Sequence, residues 1–290
     1  MKKLMIAASA ALCATVGFSD VTSANVVGYQ NKDVGAFSLV GTTFKTLGCE
    51  EADMTLGAIS ANSVMKTNGR YDKGWNWSLS YITFFDADGE AGPNLAYLPE
   101  AVRVKKGIEN PSGWYRFSDV GYEECLNDVQ PCTLGDGFVV FGNTTGTDTD
   151  PQLIFNGEVK GGRTDIPVGA FTLAANCTPT TMTLGDLTAN SVMKTNGRYD
   201  KGWNWSLSYI TFFDPVTGEA GSNLAYLPEA VRVKKGIENP SGWYKFSDVG
   251  YEECLNSQEI PAGTGFVVFG NTTGTDTDPV LTFPSAITAE

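Results

Sequence analysis

The sequence predicts a mainly β protein built as two tandem β-sandwich domains, jelly-roll-like or immunoglobulin-like, that are near-identical copies of one another. Three observations carry this expectation. The stretch ANSVMKTNGRYDKGWNWSLSYITFF at 61–85 returns letter for letter at 189–213; after a variable turn the identity resumes over 94–115 and 223–244, differs at Arg116 against Lys245, and continues to Asn127 and Asn256. A period near 128 residues is too long for a solenoid unit and suits one small domain. Glycine is abundant at 33 residues, aromatics make up 11% and charged residues only 18%, a composition of strands and turns. Nowhere do apolar residues hold a helical period for three turns, although 95–106 has room for one short helix.

The chain opens with Lys2 and Lys3, an apolar run from Leu4 to Phe18 and small residues at Thr22 and Ala24. This is the pattern of a secretory leader over 1–24, cleaved before Asn25. The first domain is expected at 25–158, a short linker containing Gly161 and Gly162 at 159–162, and the second domain at 163–290. Such a linker is too short for wide independent swinging. No later stretch approaches ~18 unbroken apolar residues, so no membrane span is expected. Without the leader the chain carries 18 basic and 32 acidic groups, a formal charge of -14. That charge argues against nucleic acid or an anionic membrane as partner, because either needs a basic face.

Individual strands follow from alternation. Val27 and Tyr29, then Phe37 and Leu39, mark two strands around a Lys-Asp-Val-Gly turn, and Phe171 and Leu173 stand in the same places in the second copy. Trp77, Leu79 and Tyr81 alternate with Asn76, Ser78 and Ser80, the pattern of a half-buried strand over 75–85. Val102 and Val104 alternate in the same way with Arg103 and Lys105, which reads as a strand whose basic cluster, with Lys106, guards an outer face against edge pairing. A turn at 107–113, strand material in GWYRFSDVGYEEC, and closing strands in GDGFVVFG and PQLIFNG complete seven to nine strands per domain.

The AFSLVGTTF opening, the closing LGDGFVVF (IPAGTGFVVF in the second copy) and the NVVGYQ start of the mature chain resemble duplicated exported bacterial β-modules. The resemblance implies an extracellular, cell-surface or secreted β-module without a known catalytic site, and it supplies no functional residues. The first copy departs from the closing pattern by placing Pro131 and Cys132 just before it.

Of six cysteines, Cys13 leaves with the leader. Aligning the copies matches Cys49 with Cys177 and Cys125 with Cys254 at intervals of 76 and 77, which predicts the disulfides Cys49–Cys125 and Cys177–Cys254 in an oxidising compartment. Each would stabilise its domain by about 4 kcal/mol in the chain-entropy account. Cys132 is then an unpaired thiol, either a crosslink between subunits or a tolerated free cysteine. A hairpin bridge Cys125–Cys132 competes.

The absence of histidine removes Ser/His/Asp and Cys/His nucleophiles and imidazole metal sites. For binding, Tyr71, Asp72, Trp75, Asn76, Trp114 and Tyr115, with Tyr199, Asp200, Trp203, Asn204, Trp243 and Tyr244, have the residue types of a glycan platform, flat rings beside amides and carboxylates. The competing reading is that the tryptophans are core. Trp114 and Tyr115 are strand neighbours and point to opposite faces, which leaves room for one of them in solvent. Asp148, Asp150, Asp276 and Asp278 recur in TTGTDTDP as a loop for calcium or a solvated turn, and the DADGE turn at 86–90 is a calcium-loop fragment that its copy lacks. No cofactor is called for beyond such calcium. The N-x-Ser/Thr sites at Asn76, Asn143, Asn176, Asn204 and Asn271 are chance matches in a bacterial protein, though they would be surface positions if modified. Catalysis is left to a carboxylate pair, Glu100 or Asp119 with Glu123 or Glu124, as in a glycosidase.

The expected function is therefore an exported, non-catalytic structural or adhesive protein whose partner is an extracellular polymer or glycan, or itself. A lectin-like protein and a secreted glycosidase are the alternatives.

Overall fold

The structure, a computed structural model, describes residues 26–35, 37–47, 52–60, 63, 81–86, 89–119, 121–129, 133–142, 152–191, 209–214, 217–248, 250–270 and 280–285. It is mainly β, with several antiparallel sheets, none of them closed. The first half runs β1 (Val27–Asp33), β2 (Ser38–Val40), α1 (Leu56–Ser60), β3 (Tyr81–Thr83), β4 (Leu95–Leu98), α2 (Glu100–Lys106), β5 (Gly113–Arg116), β6 (Phe138–Phe141) and β7 (Gln152–Glu158). The second runs β8 (Thr164–Pro167), β9 (Thr172–Ala175), β10 (Met182–Thr183), α3 (Leu184–Asn190), β11 (Tyr209–Thr211), β12 (Leu224–Leu227), α4 (Glu229–Lys235), β13 (Gly242–Lys245), β14 (Glu259–Ile260), β15 (Gly265–Phe269) and β16 (Val280–Phe283). Residues 1–24, expected to be a leader, lie outside the described set.

Two five-stranded antiparallel sheets dominate, ordered β2-β6-β3-β4-β5 and β9-β15-β11-β12-β13. Their registers correspond: Tyr81 faces Phe141 as Tyr209 faces Phe269, and Tyr97 faces Trp114 as Tyr226 faces Trp243. The strands that bracket each half pair with each other, β1 with β7 and β8 with β16. FVVF at 138–141 is apolar at every position because both faces of its sheet are covered. Phe138 and Val140 point into a cluster with Val40, Ile82, Leu95 and Trp114, closed by Leu56 and Ile59 of α1 and by Leu153 and Phe155 of β7. The equivalent cluster of the second half contains Ile210, Leu224, Trp243, Phe266, Leu281 and Phe283.

The other face of each sheet divides in two. Its β4–β5 side is covered by α2 and by the segment after β5, which bring Val102 and Tyr122 against Ala96, Leu98 and Tyr115; α4 and the segment after β13 do the same with Val231 and Tyr251. Its β2–β6 side meets the other half of the chain. There Leu39 and Val139 join Leu173 and Val267 in one cluster, ringed by Phe37, Phe85, Phe141, Phe171, Phe213 and Phe269. The contacts across this seam are reciprocal: Phe37 touches Phe213 with ring centroids 5.6 Å apart, and their counterparts Phe171 and Phe85 lie 6.3 Å apart. Backbone bridges obey the same exchange, Val40 with Thr264 and Ala174 with Asp136. So do two hydrogen bonds, from the Gly41 amide to the Gly263 carbonyl (3.1 Å) and from the Ala175 amide to the Gly135 carbonyl (2.7 Å). This is the relationship of an isologous dimer interface, formed within one chain. At its centre Gly41 faces Ala175, and a Cβ at Gly41 would overlap that of Ala175. A one-sided clasp adds to it: Lys32 Nζ of β1 donates to Thr264 Oγ1 at 2.8 Å.

Two expectations are corrected. Val102 and Val104 belong to a helix, not a strand: Val102 is buried while Val104 is 64% exposed, as residues two apart on a helix must be and residues on one strand face cannot be. The helix starts after Pro99, carries Glu100 in its first turn and Arg103, Lys105 and Lys106 in its last, and stops at Gly107 in the left-handed region at φ 66°. The basic cluster thus suits a helix C-terminus, and Arg103 is further held by two 2.6 Å bonds to Glu100. Helix α2 falls inside 95–106, where the sequence left room for one short helix, whereas α1 and α3 were not expected. The signal for α3 is Thr183-x-x-Asp186, which forms a capping box.

Candidate functional site

The aromatic platform is the first candidate. Trp114, Tyr115, Trp243 and Tyr244 are all 0% exposed, which overturns the expectation that one of each pair faces solvent. Each pair does point to opposite sheet faces, but both faces are covered, one by the main core and one by the α2 or α4 helix. Their polar atoms are used internally. Trp114 Nε1 donates to the Leu56 carbonyl at 2.9 Å and Trp243 Nε1 to that of Leu184 at 3.2 Å. The Tyr115 and Tyr244 hydroxyls donate to the Pro111 and Pro240 carbonyls, each at 2.7 Å. Burial, reinforced by the neighbouring Cys125 and Cys254 thiols, pushes both tyrosine hydroxyls well above their usual range. These four residues are core. Tyr71, Asp72, Trp75, Asn76, Tyr199, Asp200, Trp203 and Asn204 lie outside the described residues, as do Asp148, Asp150, Asp276 and Asp278 of the proposed calcium loops.

The disulfide expectation is also corrected. Cys125, Cys177 and Cys254 are thiols, and no disulfide occurs among the described residues. Cys177 packs in the main core of the second half, whereas Cys254 packs beside Tyr244 on the opposite face of the sheet. The sheet separates them, which an interval counted along the sequence does not register. Burial pushes the Cys177 thiol up to about 12. Cys125 occupies the matching place beside Tyr115, so neither Cys49–Cys125 nor Cys125–Cys132 forms; Cys49 and Cys132 themselves lie outside the described residues.

Of the carboxylates considered for catalysis, Glu100, Asp119 and Glu124 are committed locally. Glu100 is bound by Arg103, Glu124 by Arg116, and Asp119 Oδ2 accepts the Glu124 amide at 3.2 Å. In the DADGE turn, Asp86 Oδ1 accepts the Glu90 amide at 2.8 Å. Among the described residues no three acidic or cysteine side chains converge as a metal site. Asn176 is 0% exposed, its amide donating to the Thr180 and Ile260 carbonyls at 3.0 and 2.8 Å, so this sequon is not a surface position.

The seam holds what sequence reasoning missed. Between the two halves lies a half-open chamber of about 340 Å³ walled by Phe37, Leu39, Phe85, Val139, Phe141, Phe171, Leu173, Phe213 and Val267, with Thr83, Ala91 and Asn94 at one side. The Thr83 hydroxyl donates to Asn94 Oδ1, which turns the polar atoms of that side toward each other. A second, wetter groove of about 620 Å³ shares Phe85 and Leu173 with the chamber and presents Asp86, Asp136 and Asp165. Asp136 Oδ2 accepts from the Thr133 hydroxyl (2.6 Å), and Asp165 accepts from Thr282 Oγ1 (2.6 Å) and pairs with Arg163 (2.9 Å). The signal was present in FVVF and in Phe37, Phe85 and their copies: apolar side chains on the second sheet face must be covered by something. No protein-family profile, curated protein or solved structure matches this chain.

Proposed function

We propose that this chain is an exported, non-catalytic binding or adhesive protein of the cell surface or extracellular space, made of two tandem β-sandwich domains that act as one pseudo-symmetric body. The reciprocal Phe37–Phe213 and Phe85–Phe171 contacts are the observation that carries this reading. A seam of this kind ties the copies together and makes each outward surface occur twice in a fixed relation. The helices α2 and α4, with Val104 and Val233 each 64% exposed, are one such duplicated surface. A weak site repeated twice on one body gains avidity on a polymer that presents many equivalent groups. The formal charge of -13 for the whole chain favours neutral or cationic polymers over anionic ones.

The test is sedimentation of the mature protein with insoluble extracellular polysaccharides, comparing intact protein with Val104→Asp, Val233→Asp and the double variant on the duplicated α2 and α4 surface. Bivalent binding predicts that each single variant loses roughly ten- to a hundredfold in apparent affinity and that the double variant falls to background. Retention by no polymer, or release of reducing sugar from one that is bound, overturns the reading.

A further inference from the structure

We infer that the seam chamber and the acidic groove beside it form one binding site for a cationic amphiphile: an apolar chain or ring carrying a protonated amine or quaternary ammonium group. The inference concerns the seam itself and stands apart from polymer adhesion on the outer surfaces. The chamber, at about 340 Å³, falls within the ~300–1,000 Å³ typical of small-ligand sites. Its walls are phenylalanine, leucine and valine from both halves, and its polar atoms at Thr83 and Asn94 bond to each other, so water inside gains few partners and an apolar group displaces it readily. Phe85 and Leu173 line both cavities, so chamber and groove adjoin, and the proposed ligand is one whose apolar part lies in the chamber with its head group at the groove edge beside these two residues.

The groove then selects the head group. It presents three carboxylates, Asp86, Asp136 and Asp165, and among the described residues that line either cavity there is no lysine or arginine. Arg163 pairs with Asp165 from a side chain 71% exposed, where an ion pair is weak and exchangeable. An ammonium group gains from the carboxylates and from the faces of the phenylalanine rings. A carboxylate or sulfate head meets like charge, and a neutral sugar head gains only hydrogen bonds.

The test is calorimetric titration of the whole mature protein, below micelle concentrations, with decyltrimethylammonium, decyl maltoside and decanoate, three probes that share one chain length and differ in head charge. The ammonium probe is expected to bind about tenfold more tightly than the maltoside, and decanoate more weakly than either. Asp86→Asn, Asp136→Asn and Asp165→Asn together should bring the ammonium and maltoside affinities within about twofold, because the amide oxygens can still accept from Glu90, Thr133 and Thr282 while the charge is removed. Ala91→Phe, at an exposed position on the chamber wall, should abolish binding of all three without changing the thermal transition. Binding of no probe, equal binding of ammonium and maltoside, or unchanged binding by Ala91→Phe overturns the proposal. Polysaccharide sedimentation is read on the same samples, so failure at the seam is distinguished from failure of the adhesive reading.

Discussion

The indole Nε1 of Trp114 donates to the carbonyl of Leu56 at 2.9 Å, joining β5 to helix α1 across 58 residues of chain. The same bond ties Trp243 to Leu184. A residue type that resembles a ligand platform in sequence is here the pin of each core. Trp114→Phe removes the donor, takes one hydrogen bond from the Leu56 carbonyl and opens a small void. It should destabilise by about 2–3 kcal/mol in denaturant unfolding. Iodide should leave the fluorescence of Trp114 and Trp243 unquenched in the native protein, measured in variants that retain only those two tryptophans.

Reciprocity at the seam makes a quantitative prediction. Phe37→Ala and Phe171→Ala remove equivalent rings from equivalent places, so their losses of stability should agree closely. A double-mutant cycle on Phe37 and Phe213 should give a coupling of about 0.5–1.5 kcal/mol, the range for an aromatic pair. Zero coupling would mean that the two rings do not meet in solution.

The centre of the seam is sterically tight. Gly41→Ala sets a methyl against Ala175 and against the Asp136 carbonyl, and should cost about 1–3 kcal/mol as overpacking. Adding Ala175→Gly removes the first clash and leaves the second, so the double variant should recover part of the loss in thermal denaturation.

Alkaline pH should weaken the fold. Burial raises the Tyr251 hydroxyl from 10.0 to about 12 and the Cys177 thiol from 9.0 to about 12. In these windows the unfolded chain has already lost protons that the folded chain keeps, so stability falls as pH rises. The contribution is intact below pH 9 and declines from there through 12. Tyr115, Tyr122 and Tyr244 are raised by burial as well and act in the same direction. Lys32 opposes them: burial lowers its pKa below 10.5, so there the unfolded chain binds the extra proton and stability rises with pH. Burial also raises Tyr81, Tyr97 and Tyr226 and lowers Lys106; with seven tyrosines and a thiol against two lysines, melting temperature should drop steadily above pH 9, and tyrosinate absorbance should appear late and together with unfolding.

Alkylation in denaturant without reductant should modify Cys125, Cys177 and Cys254, followed by peptide mass spectrometry. In the native protein Cys177, 5% exposed, should resist the same reagent. Cys254→Ser should change stability by less than about 1 kcal/mol, against the ~2–5 kcal/mol that loss of a structural disulfide costs.

Most strands could be read directly. Alternation placed β1 and β2, and the segments GDGFVVFG and PQLIFNG, read as closing strands, are β6 and β7. Alternation misled at 102–105, where Val102, Arg103, Val104 and Lys105 satisfy a two-residue period over four positions, too few to separate a strand from one turn of helix. Pro99 before and Gly107 after were the better evidence, because they mark where a helix starts and stops whatever lies between. The candidate site was far less legible. Trp114 and Tyr115 advertised ring chemistry without saying what lay over each ring, and Phe37, Phe85, Phe171 and Phe213 are far apart in the chain and meet only when two sheets pack.

The sequence by itself determined the tandem repeat, the acidic charge, the absence of imidazole chemistry and the position of most strands, because these depend on residue identity and on periods of a few residues. Only the tertiary structure decided that Trp114 is core, that Cys177 and Cys254 lie on opposite faces of a sheet, and that the two copies close on each other around an apolar chamber. The physical reason is that a strand's pattern states which side chains share a face. What covers that face is set by elements far along the chain, through burial that no local pattern records.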